Sequence, residues 1–278
     1  MSRAVDVNHL GRDRVICAYE IDGLVVDPGP ASSVAALDGI EPRALLLTHI
    51  HLDHAGATGV LVRKYPDLRV YVHERGAPHL IDPSKLLASA SKLYGDDMDR
   101  LWGEVAPVPE ENITALSGGE TVEGFRVEYT PGHASHHVCY LHEDTGHAYV
   151  GDTAGVRIPP SELPIAPTPP PDIDIEAWQR SIELIESWSP STLCLTHFGR
   201  FEDVGEHLDK LRRWLSAWSE KARDVGSDEF CANVVERVGA VVDEETLNRY
   251  LQAAPPDQLY LGLERYWRKR AEREAQPA

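Results

Sequence analysis

Thr48-His49-Ile50-His51-Leu52-Asp53-His54-Ala55-Gly56 is the stretch on which the reading of this chain turns. Three imidazoles and a carboxylate fall within six consecutive positions, His49 to His54. Just before them runs Ala44-Leu45-Leu46-Leu47, an apolar segment of the length of a buried strand. Just after them, Ala57 to Tyr65 has a helical pattern. The polar cluster is therefore expected on a loop at the carboxyl end of a strand, where open α/β sheets place their ligand sites. Neutral imidazole is the commonest metal ligand, and a nearby carboxylate offsets the charge of a cation. A solvated turn would need no such concentration of histidine.

Working outward, Val15 to Tyr19 and Gly23 to Asp27 are expected to form a hairpin around Asp22-Gly23. Val70-Tyr71-Val72 follows the helix as another strand and completes a βαβ unit. Residues 82–111 break the pattern with short amphipathic segments and read as a helical insertion. A strand-rich block runs from Glu120 to Val150, and Ile158 to Asp172 is a proline-rich segment excluded from regular helix and central strand. Ile173 to Trp188 is helical, Thr192 to Thr196 a strand, and everything beyond Glu202 helical.

The chain has 278 residues, 42% of them hydrophobic and 26% charged, as in an ordinary soluble globular protein. Its formal charge of −18 excludes a nucleic-acid backbone or an anionic membrane as the main partner, since either needs a basic surface. The expected partner is a small-molecule substrate. Cys17, Cys139, Cys194 and Cys231 are far apart and suggest neither a disulfide framework nor a cysteine zinc knot. With no apolar signal region and no long apolar window, a cytoplasmic setting is expected.

Three further signals share the grammar of the first. His133 follows Phe125 to Thr130, Asp152 follows Ala148 to Val150, and His197 follows Leu193 to Thr196. Each puts one donor just past a strand's carboxyl end. With the first loop they make seven candidate ligands: His49, His51, Asp53, His54, His133, Asp152 and His197.

This ordered set, His-x-His-x-Asp-His and then His133, Asp152 and His197, resembles the metallo-β-lactamase-fold hydrolase superfamily over roughly residues 14 to 200. The resemblance implies an αββα four-layer sandwich for residues 1–200, with residues 201–278 as a C-terminal helical region packed on it. By position, it implies that His49, His51 and His133 hold one metal, that Asp53, His54 and His197 hold a second, and that Asp152 bridges them. Within the superfamily the chain looks most like the glyoxalase II branch. Thr48 to Gly56 and Gly151-Asp152-Thr153 match that branch; Pro131 to His137 departs from it at Ala134 and His136.

What this implies is a binuclear metal-dependent hydrolase in which a metal-bridging hydroxide, oriented by Asp53, attacks an ester-like carbonyl of a thioester or lactone. Zinc suits such a donor set; iron and manganese also fit. The alternatives on the same fold are a mononuclear iron enzyme that oxidises persulfides and a β-lactam hydrolase. Tyr94, Trp102 and Phe198 are candidate walls of an acyl pocket, and Arg157 a candidate partner for a substrate carboxylate. Asp27 is either a support for a ligand histidine or a cap on the turn at Pro28, and His137 a hydrogen-bonding structural residue. The insertion and the tail are expected to shape the pocket or a homodimer contact.

Overall fold

A computed structural model describes residues 2–275. The first half runs β1 (Arg3–Asp6), β2 (Cys17–Ile21), β3 (Leu24–Val26), β4 (Ala44–Leu46), α1 (Leu52–Ala55), α2 (Thr58–Lys64), β5 (Arg69–His73), α3 (Ala77–Ile81), α4 (Ser84–Tyr94), α5 (Met98–Trp102) and β6 (Ile113–Leu116). The second runs β7 (Thr121–Val122), β8 (Phe125–Tyr129), β9 (Val138–His142), β10 (His147–Tyr149), α6 (Ile175–Ser187), β11 (Thr192–Leu195), β12 (Gly199–Phe201), α7 (Val204–Asp224), α8 (Ser227–Gly239), α9 (Glu244–Ala253) and α10 (Pro256–Glu274). Among the described residues there are two six-stranded sheets, ordered β1-β2-β3-β4-β5-β6 and β12-β11-β10-β9-β8-β7. β3, β4, β5 and β6 run parallel, as do β10 and β11; the other pairs are antiparallel.

The period-two alternation of strand side chains divides the apolar residues between layers. Leu24, Val26, Ala44 and Leu46 face the second sheet, where they meet Phe125, Val127, Val138 and Tyr140. Val25, Leu45 and Leu47 point the other way, onto Leu61 and Val62 of α2. Covered on both faces, β4 reads as an unbroken apolar run. Two buried hydroxyls stitch the sheets together: Tyr19 donates to the Leu195 carbonyl at 2.7 Å and Tyr140 to that of Leu47 at 2.9 Å. Outside the second sheet, Trp178 and Ile182 of α6, Leu208 and Leu211 of α7, Phe230 of α8, Tyr250 of α9 and Leu259 of α10 share one core with Leu193 and Leu195. This is the expected αββα sandwich with helices added at its carboxyl end. No helix among the described residues is long and apolar enough to cross a membrane.

Three strands were not legible. β1, β6 and β12 are edge or near-edge strands of three or four residues, too short to carry a period of their own. β6 is drawn from the end of the expected insertion by pairing in parallel with β5, Val70 opposite Ile113.

The proline-rich segment is held on both sides. Ile165 bridges to Val156, and Thr168 Oγ1 donates to the Leu259 carbonyl of α10 at 2.9 Å. Gly262, one turn on, lies so close that a Cβ there would overlap the Thr168 carbonyl oxygen. Gly262→Ala, which on helix propensity alone would stabilise α10, is therefore expected to destabilise the protein by about 1–3 kcal/mol, read as a fall in urea midpoint. An unchanged or raised midpoint would show that α10 and this segment do not press on each other.

Candidate metal centre

Every one of the seven candidate ligands lies just past a strand, on the loop that follows it or in the short helix α1 next to that loop. His49 sits after β4, and His54 is on α1, which begins immediately beyond His51. His133, Asp152 and His197 follow β8, β10 and β11. Gly151 makes the approach possible. Its φ of +46° is a left-handed conformation, and a Cβ there would stand 2.5 Å from Thr48 Oγ1 and 2.7 Å from His137 Nε2.

The fold brings all seven together. Ring or carboxylate atoms of His49, His51 and His133 lie within 4.8 Å of one another, as do those of His49, His54 and Asp152, and those of Asp53, His54 and His197. His51 Nδ1 is 3.0 Å from His49 Nε2 and 3.0 Å from His133 Nε2. Asp152 divides its oxygens: Oδ2 is 3.3 Å from His133 Nε2, while Oδ1 is 3.3 Å from His54 Nε2 and 3.6 Å from His197 Nε2. Asp53 Oδ2 is 3.3 Å from His197 Nε2 and 3.8 Å from His54 Nε2.

The outer partners fix which ring nitrogen carries the proton. His133 Nδ1 faces the Pro167 carbonyl at 2.9 Å and His197 Nδ1 that of Val15 at 2.6 Å, so both must donate. His54 Nδ1 donates to Asp27 Oδ2 at 2.8 Å. Thr48 Oγ1 gives its own proton to Asp27 at 2.7 Å and so accepts from His49 Nδ1 at 3.1 Å. In the neutral form of all four rings the Nε2 lone pair then points inward. Three inward atoms, His54 Nε2, Asp152 Oδ1 and His197 Nε2, are buried without a hydrogen bond. Leaving buried polar atoms unmatched costs about 1–3 kcal/mol each, and a cation among them removes that cost.

The electrostatics agree. Burial, with His54 and His51 beside it, holds His49 well below the ordinary imidazole pKa; burial and His133 push His51 down to about 4. Burial opposes charge on His54 too, but Asp152, Asp53 and Asp27 outweigh it and raise its pKa well above the ordinary value. The same forces act in reverse on Asp152: burial pushes it up, yet His54, His133 and His197 hold it well below the usual carboxylate range. The carboxylates at this spot thus require positive charge between them. Five imidazoles and two carboxylates suit zinc, iron or manganese.

Asp27 is the support, not merely a turn cap. Fully buried, it also accepts from Thr48 N at 2.8 Å and Thr196 Oγ1 at 2.9 Å. His137 accepts from Asp152 N at 3.3 Å and lies 2.9 Å from Thr130 Oγ1, which makes it the structural residue it was expected to be.

Beside the ligands opens a cavity of about 900 Å³. Tyr94 and Trp102 line it, edge to face at 5.0 Å, with His9 stacked on Trp102 at 5.6 Å. Phe198 does not line it but packs between the two cores of the second sheet. Arg157 corrects the expectation placed on it. Its Nη1 donates to both oxygens of Asp203 at 2.8 and 2.9 Å, its guanidinium lies 4.2 Å over Phe201, and the buried side chain does not line the cavity. Sequence reading missed His136, Asn248, Gln252 and Gln258 on the cavity wall. Only the nearness of His136 to His133 could have flagged one of them.

His207, fully buried beside Arg157, lends the fold a pH dependence. Burial pushes its pKa down to about 4, the Ala154 carbonyl opposing and Arg157 adding to the shift. As pH falls from 6.5 towards 4 the unfolded chain takes up a proton that the folded one refuses. Stability from this group is therefore complete above pH 6.5 and lost below it. The drop in urea midpoint between about pH 7 and 5, with a chelator present, should be smaller in His207→Gln. An equal drop in both proteins would assign it to other histidines.

A model of the metallo-beta-lactamase superfamily matches residues 18–197. A metallo-beta-lactamase fold-containing protein of Sulfurisphaera tokodaii is 28% identical over 207 residues, 71% of this chain and 77% of that protein. The hydroxyacylglutathione hydrolase of Xanthomonas campestris pv. campestris is 32% identical over 134 residues; the match spans 47% of this chain and 41% of that enzyme. Among solved structures, an archaeal metallo-beta-lactamase superfamily protein from Sulfolobus tokodaii aligns with a TM-score of 0.65 at 21% identity, over 95% of this chain and 98% of that one.

Proposed function

The chain belongs to the metallo-beta-lactamase superfamily, and from that premise we propose that it is a hydrolase that holds two divalent cations and cleaves an ester-like bond, a thioester or lactone, of a small molecule. One observation carries this reading: four histidines whose Nδ1 protons are engaged outside the site aim their Nε2 lone pairs at a common space around Asp152. His49, His51 and His133 would hold one cation, Asp53, His54 and His197 the other, and the two oxygens of Asp152 would serve both. When bound, such cations polarise a carbonyl and lower the pKa of a water towards neutrality.

The chain's own residues supply the rest. Asp53 is the one carboxylate of the site with a quarter of its side chain exposed, and it lines the cavity. Burial pushes its pKa up, but His54 and His197 pull it below the usual range, so it is ionised and can accept a hydrogen bond that orients an attacking water. Pro167 O, Val15 O and Asp27 hold three rings in one orientation, which saves reorganisation as the reaction proceeds. Tyr94 and Trp102 offer aromatic surface on the cavity wall for an acyl group. The relative named hydroxyacylglutathione hydrolase supports a thioester over a β-lactam.

Metal analysis of the purified protein, with a panel of thioesters, lactones and β-lactams, tests the reading. The expected result is about two zinc, iron or manganese ions per chain, and ester turnover that a chelator abolishes and the metal restores. One iron per chain with oxygen uptake on persulfides, and no ester turnover, would overturn it.

A further inference from the structure

The cavity beside the metal centre has a charge opposite to that of the protein. The chain as a whole carries 27 lysines and arginines against 45 aspartates and glutamates. Along the cavity lie six lysines and arginines, and a smaller cavity of about 430 Å³ that shares Arg75, Ser135 and Asp172 with it adds two more, Lys269 and Arg273. Against these eight stand three carboxylates outside the metal site: Asp172, Asp174 and Glu272. Asp172 is already hydrogen-bonded by Ser135 at 2.6 Å, and Asp174 caps α6 through Ala177 N at 2.8 Å.

The basic groups are also unpaired where the cavities meet. Arg265, Lys269 and Arg273 follow one another at four-residue spacing on one face of α10. Arg75 stands at the same junction, its guanidinium donating to the Tyr129 hydroxyl at 3.0 Å. Arg265 and Lys269 donate to the Pro171 carbonyl at 3.2 and 3.3 Å. None of these four forms an ion pair among the described residues. On one flank of that row Arg268 pairs with Glu264, and on the other flank Arg270 pairs with Glu176 and Glu274. Like charges at four-residue spacing destabilise a helix slightly, and no carboxylate among the described residues pairs with this row, which leaves it able to meet an external anion.

The part of the cavity wall formed by α4 and α5 carries apolar side chains beside Lys85, Lys92 and Arg100. α4 contains no fully buried residue, although Leu86, Ala90, Leu93 and Tyr94 lie on one side of it; that side lines the cavity together with Trp102, Leu251 and Leu259. At about 900 Å³ the cavity is near the top of the range for small-molecule sites, roughly 300–1,000 Å³, far more than a short acyl group fills.

Building on the hydrolase reading above, we propose that the substrate is an ester or thioester with two unlike arms. An extended apolar acyl chain lies against α4, Trp102 and Leu259. A leaving-group arm bearing phosphate or carboxylate charge lies at the junction of Arg75 with the Arg265–Lys269–Arg273 row. Water gives its hydroxyl to the acyl carbon, the C–S or C–O bond breaks, and the departing thiolate or alkoxide takes the proton. The products are a long-chain acid and an anionic thiol or alcohol.

The test uses zinc-loaded full-length protein and decanoyl thioesters of three carriers: coenzyme A with its phosphates, glutathione with its carboxylates, and uncharged N-acetylcysteamine. KM is expected to be lowest on an anionic carrier, and the better of the two tells phosphate from carboxylate. Acetyl thioesters of the same carriers should have higher KM. Arg265→Gln with Lys269→Gln should shrink the ratio of neutral-carrier to anionic-carrier KM by about fivefold to tenfold, while Arg268→Gln, on a paired flank of that row, leaves the ratio as it was. Equal KM on charged and uncharged carriers, no preference for the decanoyl chain, or a ratio indifferent to the double substitution would overturn the proposal while leaving the hydrolase reading intact. Calorimetric binding of the S-decyl thioethers of coenzyme A and N-acetylcysteamine needs no turnover. A preference for the charged thioether in a protein that hydrolyses nothing would uphold the two-armed cavity and defeat the hydrolase reading instead.

Discussion

Asp152→Asn is expected to lower kcat/KM on the best ester substrate by on the order of 10³-fold and to strip metal from the protein, with the fold intact. The reason lies in the two oxygens. Oδ2 is turned to His133, and Oδ1 to His54 and His197, so one carboxylate serves both halves of the centre. An amide keeps one acceptor and puts an N–H where the other was, facing either an inward lone pair or a cation. The backbone should not move, because Asp152 N is held by His137 Nε2 at 3.3 Å and the turn by Gly151. Metal content by elemental analysis, circular dichroism and steady-state kinetics on one preparation decide the matter. Two retained ions with undiminished turnover would mean that Asp152 neither bridges nor matters.

Asp27→Asn is expected to cost about 3–5 kcal/mol of folding stability and to weaken metal binding by about 10- to 100-fold, although residue 27 touches no cation. Oδ2 alone accepts from Thr48 Oγ1, His54 Nδ1 and Thr196 Oγ1, at 2.7, 2.8 and 2.9 Å, while Oδ1 accepts from Thr48 N. An asparagine can offer one oxygen to these four donors, and its NH₂ must then face donors in a fully buried place. Thr48 follows β4 of the first sheet and Thr196 follows β11 of the second, so the same loss loosens the join between sheets and frees the His54 ring to turn. Urea unfolding and competition with a metallochromic chelator measure the two effects separately. A stable variant with unchanged metal affinity would show that the carboxylate only caps its turn.

The comparison of the two substitutions shows how far residue types alone could lead. Asp152 stood out because a lone aspartate followed Gly151 at a strand's end, in step with His133 and His197. Asp27 was left open between two roles, since an aspartate before Pro28-Gly29 is also ordinary turn chemistry, and its four buried donors decide for the support of His54. Arg157 misled for the same reason. A basic residue near Asp152 in the chain invites a role with substrate, but Asp203, from the start of α7, claims it.

The strand runs and the seven candidate ligands could be read from the chain because each depends on local order, an apolar stretch and then a donor; the αββα layering was implied by the family resemblance those motifs carry. The proline-rich segment could be read as irregular but not as a support, since its Pro167 carbonyl reaches His133 only when α10 braces Thr168 from nearly a hundred residues away. The same holds for the cavity. Nothing within the sequence of α10 distinguishes Arg265 and Lys269 from Arg268 and Arg270; which face a helix turns inward is settled by packing against distant elements. Local chemistry therefore determined where along the chain the candidate ligands fall. Long-range packing decided what orients those ligands and which charges remain free to meet a substrate.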